Sequence, residues 1–331
     1  LAIQRYRCQG CGKTFIDAPK FSEALKEQAI DRYFDAEASY RSVGRELGLK
    51  PHTIFAWVEA LGAQCKSFAE VASELRPHWG GYLLADGKAI HIRGVKYALC
   101  LTADATTQDI PLAGLFRHED FAAWQRVLHL TKRLPYPVKG LVLDEDPALW
   151  AAAHKVFPTF PKQLCVRHVV GSLNHWLRYF YDGPRTLVEP FYALCHRLCY
   201  AGSREHAAVL RQEWQRQRSA FLYHGLGKAV RNFEAKFPHL WVHFAHPGMP
   251  RTSNVIEGII RQLFRKIDDT DGFQSVGTAW RMLQLLIMRY RFHRFSCSRI
   301  HGHNGLSPLN LAGIPTNAIS WIRFAQRTEN S

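Results

Sequence analysis

The stretch 139-KGLVLDEDPALWAAAHKVFPTFPKQLCVRH-168 changes its periodicity partway along, and that change decides the fold. A continuous apolar run, Leu141-Val142-Leu143, stops at Asp144. Apolar residues then recur at helical spacing, Leu149, Ala152, Ala153 and Val156, until Phe157-Pro158 breaks the pattern. The stretch reads as strand, acidic tip, helix. Open α/β sheets place their chemistry outside the carboxyl ends of buried strands, so Asp144 is the first catalytic candidate. Asp is also a favoured helix N-cap, and capping is the plain alternative until partners for Asp144 are found. Asp146 is the rival second acid.

Working outward toward the N-terminus, GYLLADGKAIHI, GVKYALCLTADATT and DIPLAGLFR are apolar or alternating runs punctuated by Gly, Asp and Thr. They read as three consecutive antiparallel strands. A helix from Phe121 to Leu134 leads into the strand that ends at Asp144. Three antiparallel strands, a helix and a parallel fourth strand put the first and fourth strands side by side, so Asp86 and Asp144 converge. Two carboxylates held close repel unless a cation neutralises them, which implies Mg²⁺ or Mn²⁺. Asp86-Gly87 is equally the signature of a hairpin turn, the alternative for that residue.

On the C-terminal side, the strand pattern disappears from Cys165 to about Pro250, where helical segments rich in aromatic and basic residues form an insertion. The next helix opens Asn254-Val255-Ile256-Glu257. With Asn254 as N-cap, Glu257 takes the N3 place of a capping box. Arg261 and Arg265 follow it at i+4 and i+8, so a carboxylate shares a helical face with two guanidinium groups, a face suited to a metal bridged to phosphate. A long basic helix follows from Val276, and the Gly, Pro and Asn content after Phe295 predicts a loose tail.

At the front, Cys8 and Cys11 lie between basic and aromatic residues, like one knuckle of a zinc ribbon. A closed zinc site needs four ligands, so the other pair is expected upstream of Leu1; two ordinary thiols are the alternative. Residues 22–62 read as three short helices with Ser22, Ser39, Gly48 and Pro51 as boundary signals. Val43, Leu47, Leu49, Ile54 and Val58 are spaced to close one small core across the turn at Gly48. This pattern resembles a helix-turn-helix offering Lys50, His52 and Thr53 to a DNA major groove; a helical hairpin packed on the rest of the chain is the alternative.

Composition limits the function classes. A chain of 331 residues with 47% apolar residues can bury a large core, and 43 Lys plus Arg against 28 Asp plus Glu leave a formal +15, which favours a polyanionic partner such as nucleic acid. No 18-residue apolar span or signal peptide is found, so the expected place is the cytoplasm, with no membrane partner. Eight cysteines scattered with one close pair point to reduced thiols.

Asp86, Asp144 and Glu257, in that order and with a helical insertion before the last, resemble the DDE transposases of bacterial insertion sequences and their Mutator-like relatives. Asp144 to Pro158 followed by Cys165-Val166-Arg167-His168 is similar to that group's second aspartate, helix, Phe-Pro and Cys-x-x-His. Arg251-Thr252-Ser253-Asn254-Val255-Ile256-Glu257 resembles its approach to the final glutamate. The resemblance implies an α/β fold: an RNase H-like mixed-sheet core with a helical insertion, preceded by a small all-α helix-turn-helix module. It implies two Mg²⁺ or Mn²⁺ ions held by Asp86, Asp144 and Glu257, with two-metal phosphoryl transfer cutting and joining DNA. Cys165 and His168 are half a zinc site at most, and a structural or DNA-positioning role is expected. Arg251, Arg261 and Arg265 are expected on DNA, and Trp176, Trp214 or Trp241 is a candidate to stack on a flipped base. Double-stranded DNA, as element ends and target, is the implied partner, bound by a homodimer or larger assembly; Zn²⁺ is implied at the N-terminal ribbon. The expected division is 1–20 ribbon, 21–63 helix-turn-helix, 64–79 linker, 80–165 first part of the core, 166–250 insertion, 251–296 final core helices and 297–331 tail. A domesticated, inactive DNA-binding regulator is the alternative, and a nuclease of RNase H or resolvase type is a third reading that leaves the front modules unexplained.

Overall fold

The computed structural model describes residues 5–16, 21–35, 37–183, 185–270, 272–298 and 300–327. Strands β1 (Arg5–Arg7) and β2 (Thr14–Ile16) pair as an antiparallel hairpin around the two cysteines. Three helices follow where the boundary residues put them: α1 (Glu23–Tyr33), α2 (Tyr40–Leu47) and α3 (Pro51–Ala63). Ser22 accepts the Leu25 N–H, Ser39 forms a capping box with Ser42, Gly48 ends α2 at φ 67°, and Pro51 opens α3.

Between the helical module and the sheet, in the stretch expected to be a linker, lies a fourth helix, α4 (Phe68–Leu75). The Ser67 hydroxyl accepts the Glu70 N–H at 3.3 Å, and the Glu70 carboxylate accepts the Ser67 N–H at 2.6 Å. This reciprocal box, followed by the buried Val71 and Ala72, is a local helix-start signal that outweighs the linker-like composition.

The sheet is built from β3 (Tyr82–Ile92), β4 (Val95–Asp104), β5 (Leu112–Phe116), β6 (Gly140–Leu143) and β7 (Lys162–Leu164), in the order β5-β4-β3-β6-β7. β3, β4 and β5 run antiparallel, and β6 lies parallel to β3, the adjacency expected from the element order. β7 adds a parallel edge that the sequence pattern does not announce, since three residues are too few to show a period.

Side chains alternate across the sheet. Leu83, Ala85, Leu141 and Leu143 face α5 (Phe121–Arg133) and α6 (Pro147–Val156), with Trp124 and Leu149 fully buried between them. Leu84, Leu99, Leu101 and Val142 face the opposite layer, α12 (Asn254–Asp268) and α13 (Val276–Phe292). The insertion, α7 (Val166–Tyr179), α8 (Arg185–Cys199), α9 (Arg204–Tyr223), α10 (Gly227–Glu234) and α11 (Phe237–Leu240), closes its own core around Phe191, Trp214 and Phe233.

Two expectations change here. Ile30, Val43, Ile54 and Val58 of the helical module belong to the same continuous core as Met282, Leu283 and Leu286 of α13, so the module does not close a core of its own. The helices meet closely: a Cβ on Gly62 of α3 would stand 2.7 Å from the Arg281 Cβ of α13. The tail is not loose either. Short helices α14 (Pro308–Leu311) and α15 (Trp321–Ala325) bury Leu309, Ile322 and Ala325, while Arg323 pairs with Glu27 and Arg327 with Glu70. Gly and Pro there make tight turns between packed apolar residues rather than slack chain. Among the described residues no helix is long and apolar enough to cross a membrane.

Candidate active site

Register brings the first two acids together. Leu84 of β3 is paired with Val142 of β6, and two residues further along each strand stand Asp86 and Asp144, on the same side of the sheet. Asp86 is not in a turn: β3 continues through it, paired opposite Leu101 of β4. Asp144 does not cap the helix after it. That task falls to Asp146, whose Oδ1 accepts the Leu149 N–H at 2.7 Å with Pro147 at the first helical position. Asp146 is thus engaged as the helix cap. The Asp144 backbone carbonyl accepts from the Trp150 indole, and its Oδ1 accepts the Asp146 N–H at 3.1 Å.

The third acid arrives through α7. Cys165, fully buried directly after β7, donates its N–H to Leu143 O at 2.7 Å, and the Val166 N–H bonds Arg251 O at 3.1 Å. Cys165 Sγ accepts the Ser253 N–H at 3.2 Å. These bonds fasten the Arg251–Ser253 loop to the strand ends and so fix where α12 begins. The N-cap of α12 is Ser253, not Asn254, and no side-chain cap bond forms, so Glu257 is not the glutamate of a capping box. Asn254 Oδ1 instead accepts from Arg167 at 3.2 Å.

Glu257 Oε2 lies 3.4 Å from Arg167 Nη1, and Oε1 lies 3.7 Å from His168 Nε2. The second separation is too long for a hydrogen bond, and Oε1 is buried without a hydrogen-bond partner among the described residues. A buried carboxylate oxygen left this way is costly unless a cation meets it.

The electrostatics bind the cluster together. Burial pushes the Asp86 carboxyl up to about 7; the Asp144 charge and, more weakly, Glu257 add to the rise, while His168 and the Gly87 N–H oppose it. Asp144 is raised by burial, against the pull of the Asp146 N–H and of His168. His168 is raised to about 9, first by its hydrogen bond with Cys165, against burial, and then by the charges of Cys165, Asp144 and Glu257. Burial would raise the Cys165 thiol, but hydrogen bonds from His168 and Ser253 outweigh it and its pKa falls. A protonated imidazole therefore sits among the acids. Ligand atoms of Cys165, His168 and Glu257 all lie within 4.8 Å of one another, a group that the sequence reading split into a half-site and a remote glutamate.

Glu119 carries no sequence signal, yet its carboxylate lies over Gly87, where a Cβ would meet Oε1 at 2.0 Å. Its own pKa is raised by desolvation and then by Asp146 and Asp144. Glu145 pairs with Lys236 of the insertion, one residue from Asp144.

The remaining candidates lie around this centre or at the N-terminus. Arg251 is exposed and stacks over Tyr200 at 5.0 Å. Arg261 and Arg265 are exposed and line a cleft of about 900 Å³ along α12, whose rim includes Arg167 and Asn254. Lys50 and His52 are exposed at the start of α3, with Thr53 half-buried. Cys8 and the exposed Cys11 are free thiols in the β1–β2 turn. The Cys8 pKa is lowered by backbone N–H groups of Cys11 and Gly10 directed at its sulfur, the setting of a thiolate ligand. The next cysteine, Cys65, is buried beside Gln326. Trp214 is fully buried with its indole N–H on Glu234, which removes it as a stacking platform; Trp176 and Trp241 are half-buried against the same core.

Residues 18–77 match a helix-turn-helix family model described as a transposase. A comparison with curated proteins finds no match. Among solved structures, a chain of the simian T-cell lymphotropic virus intasome in complex with the PP2A regulatory subunit B56 gamma is similar at 11% identity and a TM-score of 0.23. That similarity covers 41% of this chain and 64% of that one, so less than two thirds of the matched chain is spanned.

Proposed function

We propose that the chain is a DNA transposase of the DDE type, related to the Mutator-like group, and that its mixed sheet is an RNase H-like core. Asp86, Asp144 and Glu257 are its metal-binding acids. One observation carries this reading: two carboxylates in register on adjacent parallel strands feel the charge of a third, from a separate helix, one of whose oxygens is buried without a hydrogen-bond partner among the described residues. The likeness of residues 18–77 to transposase helix-turn-helix domains supports the DNA-binding half independently.

The donor set fits two hard divalent ions such as Mg²⁺ or Mn²⁺, which prefer a few carboxylates plus substrate phosphate. Bound there, such ions supply activation of a water or a DNA 3′-hydroxyl and stabilisation of the departing 3′-oxygen. The chain's own side chains do the rest. Asp86 and Asp144, side by side at the strand ends, would hold the ions. Arg167 pairs with the Glu257 carboxylate, His168 stands beside it, and Cys165 fixes His168 and the α12 approach. Arg251, Arg261 and Arg265 meet DNA phosphates, and Lys50, His52 and Thr53 at the start of α3 read the element ends. Cys8 and Cys11 contribute half of a zinc site. The protein works at the bacterial nucleoid on paired ends of double-stranded DNA, as a homodimer or a larger assembly.

Strand nicking of labelled DNA ends in Mg²⁺, compared with Ca²⁺, tests the function. Wild type is expected to nick in Mg²⁺, whereas Asp86→Asn and Glu257→Gln lose activity by two orders of magnitude or more, on the scale of removing one preorganised electrostatic group, roughly 10²–10³. DNA binding without nicking by wild type would favour a regulator instead.

A further inference from the structure

The cleft along α12 does more than expose two arginines. Its volume is about 900 Å³, and it runs between α12, α13, the end of α1 and the chain from His293 to Ser298. Arg167, Arg261, Arg265, Arg289 and Arg294 line it, and among the described lining residues Asp35 is the single acid. Asp35 is already engaged by Arg289 at 2.5 Å and Arg32 at 2.8 Å. Arg261 and Arg265, by contrast, form no ion pair or hydrogen bond among the described residues, and Arg294 bonds only Asn317. Unneutralised guanidinium groups gathered along one concave cleft focus a positive potential along it.

The stripe on α12 is regular. Asn254, Gly258, Arg261 and Arg265 follow one another at i, i+4, i+7 and i+11, so polar and basic groups repeat along one face, and Gly258 leaves bare backbone between them. A Cβ at Gly258 would meet no atom within 4 Å, so the floor of the cleft is open at that point. The opposite wall is ordered. Phe295 bridges to Asn304, the Phe295 N–H bonds Leu306 O at 2.9 Å, and the Ser298 N–H bonds Asn304 Oδ1 at 2.7 Å. At one end of the cleft stands Arg167, whose guanidinium also touches Glu257.

We propose that this cleft is the path of the DNA backbone leading away from the acidic centre, with residues 293–298 as its second wall and Arg294 as a phosphate contact beside Arg261 and Arg265. The proposal rests on the transposase reading for the identity of the polyanion, but not on catalysis. Arg167 joins the two regions: it ends the phosphate track and lies 3.4 Å from the Glu257 carboxylate of the acidic centre.

Cys297 lies exposed in the wall and supplies a native probe. Full-length protein in EDTA, so that no strand is cut, is alkylated with N-ethylmaleimide with and without a 40-base-pair duplex of random sequence, and Cys297 modification is followed by peptide mass. With duplex at ten times its Kd, Cys297 alkylation is expected to slow about tenfold, the fraction of protein left free. Arg261→Ala/Arg265→Ala is expected to abolish that protection and to lower the slope of log K against log salt by about 2, one for each lost phosphate contact. Gly258→Glu, whose Cβ would meet no atom within 4 Å, is expected to do the same by placing a carboxylate in the channel. An unchanged Cys297 rate at saturating duplex would overturn the proposal, as would better protection by single-stranded RNA of equal length. Protection by the random duplex with no nicking of labelled element ends in Mg²⁺ would leave the cleft standing and sink the catalytic reading; nicking of those ends without protection would do the reverse.

Discussion

Asp86 concentrates the chemistry of single residues. Its folded-state pKa, about 7, lies above the ordinary 3.8, because burial and the Asp144 charge both oppose ionisation. A carboxyl raised in the folded state stabilises the fold below its unfolded pKa, and that contribution is lost as pH rises from 3.8 through about 7. In EDTA, wild-type Tm is therefore expected to fall over this window, by an amount on the order of 4 kcal/mol in free energy, whereas Asp86→Asn flattens the fall. Mg²⁺ is expected to restore wild-type stability at pH 8 and to leave Asp86→Asn nearly unaffected. A wild-type profile as flat as the variant's would show that Asp86 is not held in this way. Asp146 is simpler: Asp146→Ala removes the N-cap of α6 and is expected to cost about 1 kcal/mol in urea unfolding. The two neighbouring acids were distinguishable in sequence only by their spacing to the residues after them. The structure separates their present roles, one capping and one pointing over the sheet. Glu119 and the Cys165–His168–Glu257 grouping were not legible, because both depend on contacts between elements distant in the chain.

At the scale of elements, local signals carried far. Caps at Ser22, Ser39, Gly48 and Pro51 sit at the helix boundaries read from them, and the apolar period of Leu149, Ala152, Ala153 and Val156 is the buried face of α6. The adjacency of β3 and β6 followed from element order alone. What failed was judgement by composition. Gly and Pro in the tail looked loose, and the Ser67-x-x-Glu70 box inside the stretch 64–79 was outvoted by its flanks. Contact between elements also escaped the pattern: nothing local says that Gly62 must be small. Gly62→Val forces a β-branched side chain onto Arg281 and is expected to destabilise the protein by roughly 1–3 kcal/mol. An unchanged urea midpoint would mean that α3 and α13 are not packed as closely as described.

The whole molecule joins the N-terminal helical module to an acidic centre through one core. Ile54 and Val58 of α3 share that core with Leu283 and Leu286 of α13, and the C-terminal helices strap back onto α1 and α4 through Arg323 and Arg327. Limited proteolysis is therefore expected to leave residues 21–63 attached to the core, with no early cut between 63 and 80. Early release of a stable 21–63 fragment would mark the module as an independent domain. Such a shared core gives the start of α3 a fixed geometry relative to Asp86, Asp144 and Glu257.

The most direct measurement compares wild type with Asp144→Asn on labelled duplexes taken from the DNA flanking the gene, scoring binding, strand cleavage and joining in Mg²⁺. Wild type is expected to cut and join, and Asp144→Asn to bind the same duplexes equally well without cutting. Equal cutting by both proteins would contradict the assignment of Asp144, and with it the acidic centre.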